Sequence, residues 1–229
     1  DLTMKLLRLE RDPDVRIVVI SGAGGNFCAG GDIEWMCRMA RLSSEENAED
    51  ARTLGTLFET LDGLSKPTLA LVQGAAFGGG VGLVACCVIV VSAKNAKFSL
   101  SEVRLGLVPA VVAPYVVRAI GVRQSRALFL SAEIVGADCA FHLGLVHEVA
   151  LDSALASVRD RFIEALLLGA PGAQADAKRV VGSCVNRRLD ASLKNEMADL
   201  LAARRASPEG AAGLAGFLEK QESDWRSLR

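Results

Sequence analysis

Two short strand-like runs, each leading into a glycine cluster, constrain this chain more than any other feature of it. Val15 to Ile20 leads into Ser21-Gly22-Ala23-Gly24-Gly25 and on to Asn26-Phe27-Cys28-Ala29-Gly30-Gly31-Asp32, and Thr68-Leu69-Ala70-Leu71-Val72 leads through Gln73 into Gly74-Ala75-Ala76-Phe77-Gly78-Gly79-Gly80. Runs this short and apolar, preceded by Asp12-Pro13-Asp14 and by Lys66-Pro67, suit strands buried on both faces. Glycine at the end of such a strand leaves backbone N–H groups unshielded and lets a ligand approach the main chain. Neither run brings a phosphate-binding lysine or a metal-ligand set, so the chemistry they suit is the stabilisation of an oxyanion by backbone donors.

Nucleotide binding is the rival explanation for such glycines, and it fails on spacing. A phosphate-cradling loop needs G-x-x-x-x-G-K-[ST] and a dinucleotide fingerprint needs G-x-G-x-x-G, and neither occurs within Gly22–Gly31 or Gly74–Gly82. Tight turns with close helix packing would account for one or two glycines, but not for two clusters that each follow a buried strand.

Helical patterns alternate with these strands, which is the signature of an α/β chain. Leu2 to Arg11 has helical spacing; Asp32 is placed to cap a short helix through Met39; Ser44 and Asn47 open a longer acidic-faced helix toward Gly63. Leu69 to Ala93 contains no charged residue and is long enough to imitate a membrane span, but Gln73 and its five glycines, Gly74, Gly78, Gly79, Gly80 and Gly82, break it into strand, turn, short helix over 79–87 and strand at Val88–Val91. Beyond Pro109 the expected elements are helices at 111–121, 123–131 and 136–143, a brief strand at Leu145 to Val149, and then helices to the end. Gly169-Ala170-Pro171-Gly172 reads as a hinge, dividing a core over 1–168 from a helical C-terminal region over 169–229. Leu193, Met197, Leu200 and Leu201 form an apolar stripe in that region, expected to cover the core or a neighbouring subunit.

With 229 residues, 51% of them hydrophobic, the chain can bury one sizeable core. A net charge of −1 excludes long-range attraction to nucleic acid or an anionic membrane, and the acidic patch of Glu45, Glu46, Glu49 and Asp50 opposes RNA binding. Six cysteines, at 28, 37, 86, 87, 139 and 184, contain no C-x-x-C pair, and with His142 and His147 as the two histidines no zinc site is expected. The cysteines read as small apolar core residues of a chain in a reducing compartment, with Cys28, inside the first loop, the one of interest. Asp1 to Leu7 reads as helix and not as a leader, so the expectation is a soluble cytoplasmic protein.

Phe27-Cys28-Ala29-Gly30-Gly31-Asp32-Ile33, Gly74 to Gly80, and Ser101-Glu102-Val103-Arg104-Leu105-Gly106-Leu107-Val108-Pro109 together resemble the two oxyanion loops and the catalytic-glutamate segment of the enoyl-CoA hydratase/isomerase, or crotonase, superfamily. The resemblance covers essentially the whole chain. It implies a spiral of ββα units with a helical C-terminal region, assembled as a homotrimer or dimer of trimers. It implies an acyl-CoA thioester substrate, with no separate cofactor because coenzyme A is part of the substrate, no metal, and neither nucleic acid nor membrane as partner. Gly31 and Gly79 would donate their N–H groups to the thioester oxygen, Glu102 would move the proton, and Ala29, Asp32, Ile33, Gly78, Gly82, Val108 and Arg104 would line the substrate. The family also has a strand hairpin of about 30 residues ahead of the first helix, and this sequence does not contain it.

Hydratases of the family commonly use two glutamates, and here Gly82 stands at the first position while Glu102 stands at the second, twenty residues on. That departure, with Gln73-Gly74-Ala75-Ala76-Phe77-Gly78-Gly79 and Pro109-Ala110-Val111-Val112-Ala113-Pro114, is similar to the bacterial methylglutaconyl-CoA and carboxygeranoyl-CoA hydratase branch. A remote carboxylate on such a substrate needs a cationic partner, for which Arg104, Arg38 and Arg41 are candidates. Glu34 and Val88 replace a lysine and an aspartate usual in the family, leaving Lys97 and Lys220 as candidates for the CoA phosphates and Trp35 and Phe217 for the acyl or adenine pocket. A one-glutamate site also suits a double-bond isomerase, and a CoA-binding protein without catalysis and an RNA-binding relative remain as alternatives from other classes.

Overall fold

A computed structural model describes residues 1–185, 187–221 and 225. The chain opens with α1 (Leu2–Arg11), whose first turn is capped by the Asp1 carboxylate accepting from the Thr3 N–H at 2.9 Å. β1 (Val18–Ser21), β2 (Thr68–Val72), β4 (Ile89–Ala93) and β7 (Glu148–Ala150) form a four-stranded sheet in the order β1-β2-β4-β7, parallel throughout. A second sheet, in the order β3-β5-β6, is made by β3 (Ala75–Phe77), β5 (Lys97–Ser99) and β6 (Val135–Gly136). Each central strand of the first sheet runs on into a strand of the second and then into a helix: β2 and β3 lead to α4 (Gly79–Cys86), and β4 and β5 lead to a 3₁₀ turn (Glu102–Leu105) and α5 (Ala113–Ser131). That repeat is the ββα spiral. The first turn of the spiral is abbreviated, with Cys28 alone bridging to Ala76 where a strand would lie.

The remaining helices wrap this frame. α2 (Ile33–Met39) is capped by Asp32, and α3 (Ser44–Gly63) by Ser43 in a reciprocal capping box with Glu46, one residue earlier than the sequence pattern suggests. α6 (Ala137–His142) and α7 (Leu155–Leu167) flank β7, and α8 (Pro171–Cys184), α9 (Ala191–Ala206) and α10 (Pro208–Leu218) complete the described C-terminal part. Phe58 and Leu61 of α3, Val84 of α4, Val116 of α5, Leu6 of α1 and Phe98 of β5 meet in one core, each at 1% exposure or less. The Arg16 guanidinium ties the C-terminal helices to the entry of β1 by donating to the Gly169 carbonyl at 2.7 Å and to that of Trp225.

Several sequence expectations are corrected. The strand expected from Val15 begins at Val18, and β3, β5 and β6, of two or three residues each, are too short to produce an alternating pattern. The two helices expected at 111–121 and 123–131 are borne out within the span of α5, which begins at Ala113 and is broken at Gly121, whose φ of 77° and ψ of 164° lie outside helical geometry. The strand expected at Leu145 to Val149 lies at Glu148–Ala150. Cys86 and Cys87 are core residues, whereas Cys37, Cys139 and Cys184 are exposed. In α9 Leu193 is buried and Met197 and Leu200 half-buried, but Leu201 is exposed. Among the described residues no helix is long and apolar enough to cross a membrane.

Candidate active site

The two glycine clusters lie side by side because backbone bonds lace them together. Phe27 N–H donates to the Gln73 carbonyl at 2.8 Å, Cys28 N–H to that of Ala75 at 2.9 Å, and Phe77 N–H returns to the Cys28 carbonyl at 2.9 Å. Two side chains clasp the crossing: Asn26 Oδ1 accepts from the Ala75 N–H at 2.8 Å, and the Gln73 amide donates to the Gly22 carbonyl at 2.7 Å. Gly74 sits under this clasp at φ +58°, where a Cβ would fall 2.0 Å from the Gly25 carbonyl oxygen, so no other residue fits. Asn26 and Gln73 were not candidates on sequence; polar side chains flanking glycine clusters in two separate loops are the signal that marks them.

The second cluster turns directly into α4. Gly78 holds φ +52° and ψ −116°, donates its N–H to the Ser99 carbonyl at 2.9 Å, and hands the chain to Gly79, the first residue of the helix. A first-turn N–H has no acceptor inside its own helix and carries the positive end of the helix dipole. Neither Gly79 nor Gly31 donates its N–H to a backbone acceptor among the described residues. Gly31 precedes the Asp32 cap of α2, and the Met36 methyl lies over it, 2.7 Å from where a Cβ would be.

Glu102 opens the 3₁₀ turn that follows β5, and β5 pairs with β3, so the sheet brings its carboxyl to the second cluster. Its Oε1 lies 3.2 Å from the position a Cβ on Gly78 would take. Its Oε2 is buried without a hydrogen-bond partner among the described residues. Burial pushes the carboxyl above the ordinary carboxylate range, against a smaller opposing pull from its own backbone N–H. A partly desolvated carboxyl beside exposed backbone donors is suited to moving a proton while negative charge collects on a neighbouring oxygen.

Gly82, one turn into α4, is buried, and the space beyond it is filled. A Cβ there would lie 2.4 Å from Val112 Cγ1 and 2.8 Å from Phe58 Cε1. Phe58, from α3, also has its Cζ 3.8 Å from where a Cβ on Gly79 would be, and it packs on Tyr115 with ring centroids 5.9 Å apart. Phe58 and Val112 are thus residues of the site that sequence reasoning missed; on sequence Phe58 is one more apolar position of an amphipathic helix.

The other candidates divide. Ala29, Asp32 and Ile33 lie at and after the first loop, with Asp32 Oδ1 accepting from the Trp35 N–H at 3.1 Å and Ile33 exposed. Arg104 and Val108 are exposed in the same segment as Glu102, and among the described residues no ion pair engages Arg104, Arg38 or Arg41. Trp35 is half-buried in α2, Phe217 is exposed on α10, Lys97 opens β5, and Lys220 lies past α10. Both histidines are engaged elsewhere, His147 Nδ1 accepting from the Val90 N–H at 3.1 Å and His142 Nδ1 lying 2.6 Å from the Asp138 carbonyl. Among the described residues no group of three or more His, Cys, Asp or Glu is placed to hold a metal ion.

The same architecture recurs in known proteins. An enoyl-CoA hydratase from Shewanella pealeana is 38% identical, with a TM-score of 0.95 over 98% of this chain and 84% of that one. Pseudomonas aeruginosa AtuE is 35% identical, with a TM-score of 0.94 over 99% of this chain and 88% of its own. A crotonyl-CoA hydratase of Syntrophomonas wolfei is 30% identical over 222 residues, which are 94% of this chain and 82% of that protein. The chain spans 56% to 62% of the length of other curated relatives it matches, among them the Alternaria alternata enoyl-CoA hydratase AKT6-1, 35% identical over 195 residues. The sequence profile of enoyl-CoA hydratase/isomerase matches residues 1–228. With paired glycine loops at the strand ends and that profile running through nearly every residue, the chain belongs to the enoyl-CoA hydratase/isomerase family.

Proposed function

We propose that this chain adds water across the α,β double bond of an enoyl-CoA thioester. One observation carries the proposal: the Glu102 carboxyl lies against Gly78, the residue that caps the helix whose first N–H, that of Gly79, has no backbone acceptor among the described residues. In this reading the thioester oxygen accepts from the N–H groups of Gly31 and Gly79. Ionised Glu102 takes a proton from water, the oxygen of that water bonds to the β-carbon, and the electron pair of the double bond moves toward the thioester oxygen as an enolate. Protonated Glu102 then returns the proton to the α-carbon, so one water is consumed and the carboxylate is restored. A single carboxylate serving both steps delivers hydroxyl and proton to the same face.

The acyl chain we assign is branched and carboxylated, of the 3-methylglutaconyl-CoA kind, on the strength of glycine at position 82 and of exposed Arg104, in the same turn as Glu102 and without an ion-pair partner among the described residues. A homotrimer or dimer of trimers would give the exposed Leu214, Phe217 and Leu218 of α10 a partner. The one-carboxylate site also favours a second reading, a double-bond isomerase in which Glu102 removes and returns a proton along the chain. A panel of enoyl-CoA thioesters that includes crotonyl-CoA and 3-methylglutaconyl-CoA, followed by enone absorbance and by double-bond position, separates them. Hydration with syn stereochemistry is expected, and migration without hydration would refute the reading. In Arg104→Met the preference for the carboxylated substrate is expected to fall, and an unchanged preference removes Arg104 from the pocket.

A further inference from the structure

A cavity of 810 Å³ lies away from the glycine loops. It opens at the residues that precede β2 and β4, Pro67 and Val88, where those strands begin, while the glycine clusters follow the far ends of β1 and β2 in the same parallel sheet. Strands of five residues separate the two edges by about 17 Å. The C-terminal end of α4, at Cys86 and Cys87, forms its floor, and α8 forms its outer wall. A volume of this size falls in the range of small-molecule sites.

The charges of the cavity leave one cation over. Of its carboxylates, Asp62 is paired with Arg118, and Asp176 is held by Arg179 at 2.9 Å and by Arg204 at 2.8 Å. Lys178 projects from α8 with one hydrogen bond, to the Leu64 carbonyl at 2.6 Å, and has no carboxylate within ion-pair distance among the described residues. Asp62 and, from outside the lining, Glu10 act on its charge without pairing with it, and Glu10 Oε1 accepts from the Ser65 N–H at 3.0 Å. Two N–H donors of the ammonium are therefore uncommitted. The walls around it are apolar, with Leu64, Pro67, Val88, Val181 and Val185 facing the same space.

We propose that this cleft is a second ligand site, distinct from the acyl-CoA site, that binds a single-chain carboxylate with its head on Lys178 and its hydrocarbon chain along those apolar walls. One ammonium beside apolar walls matches one carboxylate on an alkyl chain in both charge and surface. Burial lowers the pKa of Lys178, and an anion at its side would reverse that shift.

Isothermal titration of the full-length protein with dodecanoate below its micellar concentration, and with dodecanol as the neutral control, tests the proposal. Saturable binding of one dodecanoate per chain is expected, weakened about tenfold or more in Lys178→Met, retained in Lys178→Arg and in Glu102→Gln, and absent for dodecanol. Val181→Glu, at an exposed lining position that does not disturb the core, is expected to abolish binding while enoyl-CoA turnover persists. Equal binding by wild type and Lys178→Met, loss of binding in Glu102→Gln, or no saturable binding because another subunit covers the cleft would each overturn it.

Discussion

Replacing Gly82 by alanine tests whether packing, and not mere absence of a side chain, keeps a second carboxylate out of the site. In an ordinary helix interior the change would stabilise by about 1 kcal/mol. Here the new Cβ would lie 2.4 Å from Val112 Cγ1, 2.8 Å from Phe58 Cε1 and 3.0 Å from Phe58 Cζ. Neither neighbour yields easily: valine is stiff at χ1, and Phe58, 1% exposed, is wedged between α4 and Tyr115. With two stiff neighbours closer than 3.0 Å, overpacking falls in the upper part of its range, about 2–3 kcal/mol, enough to reverse the propensity gain and leave a net loss of about 1–2 kcal/mol. For a chain of this size that is a fall in Tm of about 3–6 °C. A double-mutant cycle isolates the contact: in a Val112→Ala background the cost of Gly82→Ala should shrink or change sign, with a coupling energy of about 1 kcal/mol or more. Urea unfolding of the four proteins measures it. If Gly82→Ala is as stable as the wild type or more so in the Val112 background, the space beyond Gly82 is open and the packing account fails.

Two further perturbations separate chemistry from scaffold. Glu102→Gln should lower turnover by about 10²–10⁴ while raising Tm at about pH 7, because the folded pKa of Glu102 lies above its unfolded value. The stability contributed by such a group is present below the unfolded value, about 4.3, and is lost as pH rises through the folded one, so removal of the ionised form helps near neutrality and gives nothing at about pH 4. Calorimetry at the two pH values decides, and a destabilised Glu102→Gln at neutral pH would contradict the burial argument. Glu209→Ala should cost about 1–3 kcal/mol, because the carboxylate accepts from the Gly172 N–H at 3.0 Å, the Ala173 N–H at 3.1 Å and Arg204 at 3.0 Å, and so caps α8 from α10. Faster limited proteolysis after residue 169 with unchanged early-time turnover is the expected signature, and an unchanged cleavage rate would refute the cap.

What could be read from sequence follows from how far each signal extends along the chain. β2 is legible to the residue because Pro67 opens it, Thr68 and four apolar residues fill it, and Gln73-Gly74 ends it. Glu102 and the two glycine clusters are legible as motifs because local backbone chemistry dictates them. β3, β5 and β6 are not, since strands of two or three residues exist through partners distant in sequence, as Phe98 pairs with Val135. The same limit hid Phe58, Val112, Asn26 and Gln73, whose contributions depend on which loop or helix the fold sets against them. Gly82 could be recognised as a missing carboxylate, but only the packing of α3 and α5 against α4 reveals that its place is occupied.

That occupancy makes α4 the element on which the reading of the site turns. Its eight residues carry the candidate oxyanion donor at the first position, the packed Gly82 one turn later and buried Cys86 at the far end. A side chain at Gly82 would press on Phe58, whose Cζ also lies 3.8 Å from where a Cβ on Gly79 would be, so displacement of the ring is expected to be felt at the donor. Displacements of about 1 Å at a reacting centre can cost as much as 10² in rate. A second glutamate could therefore not be added to this chain by one substitution without disturbing the amide it was meant to assist. Gly82→Glu should lower turnover even in the molecules that fold, whereas the same change together with Phe58→Ala and Val112→Ala should recover part of it. The difference between those two variants, measured per folded molecule, tells whether the single-carboxylate site is held in place by its packing.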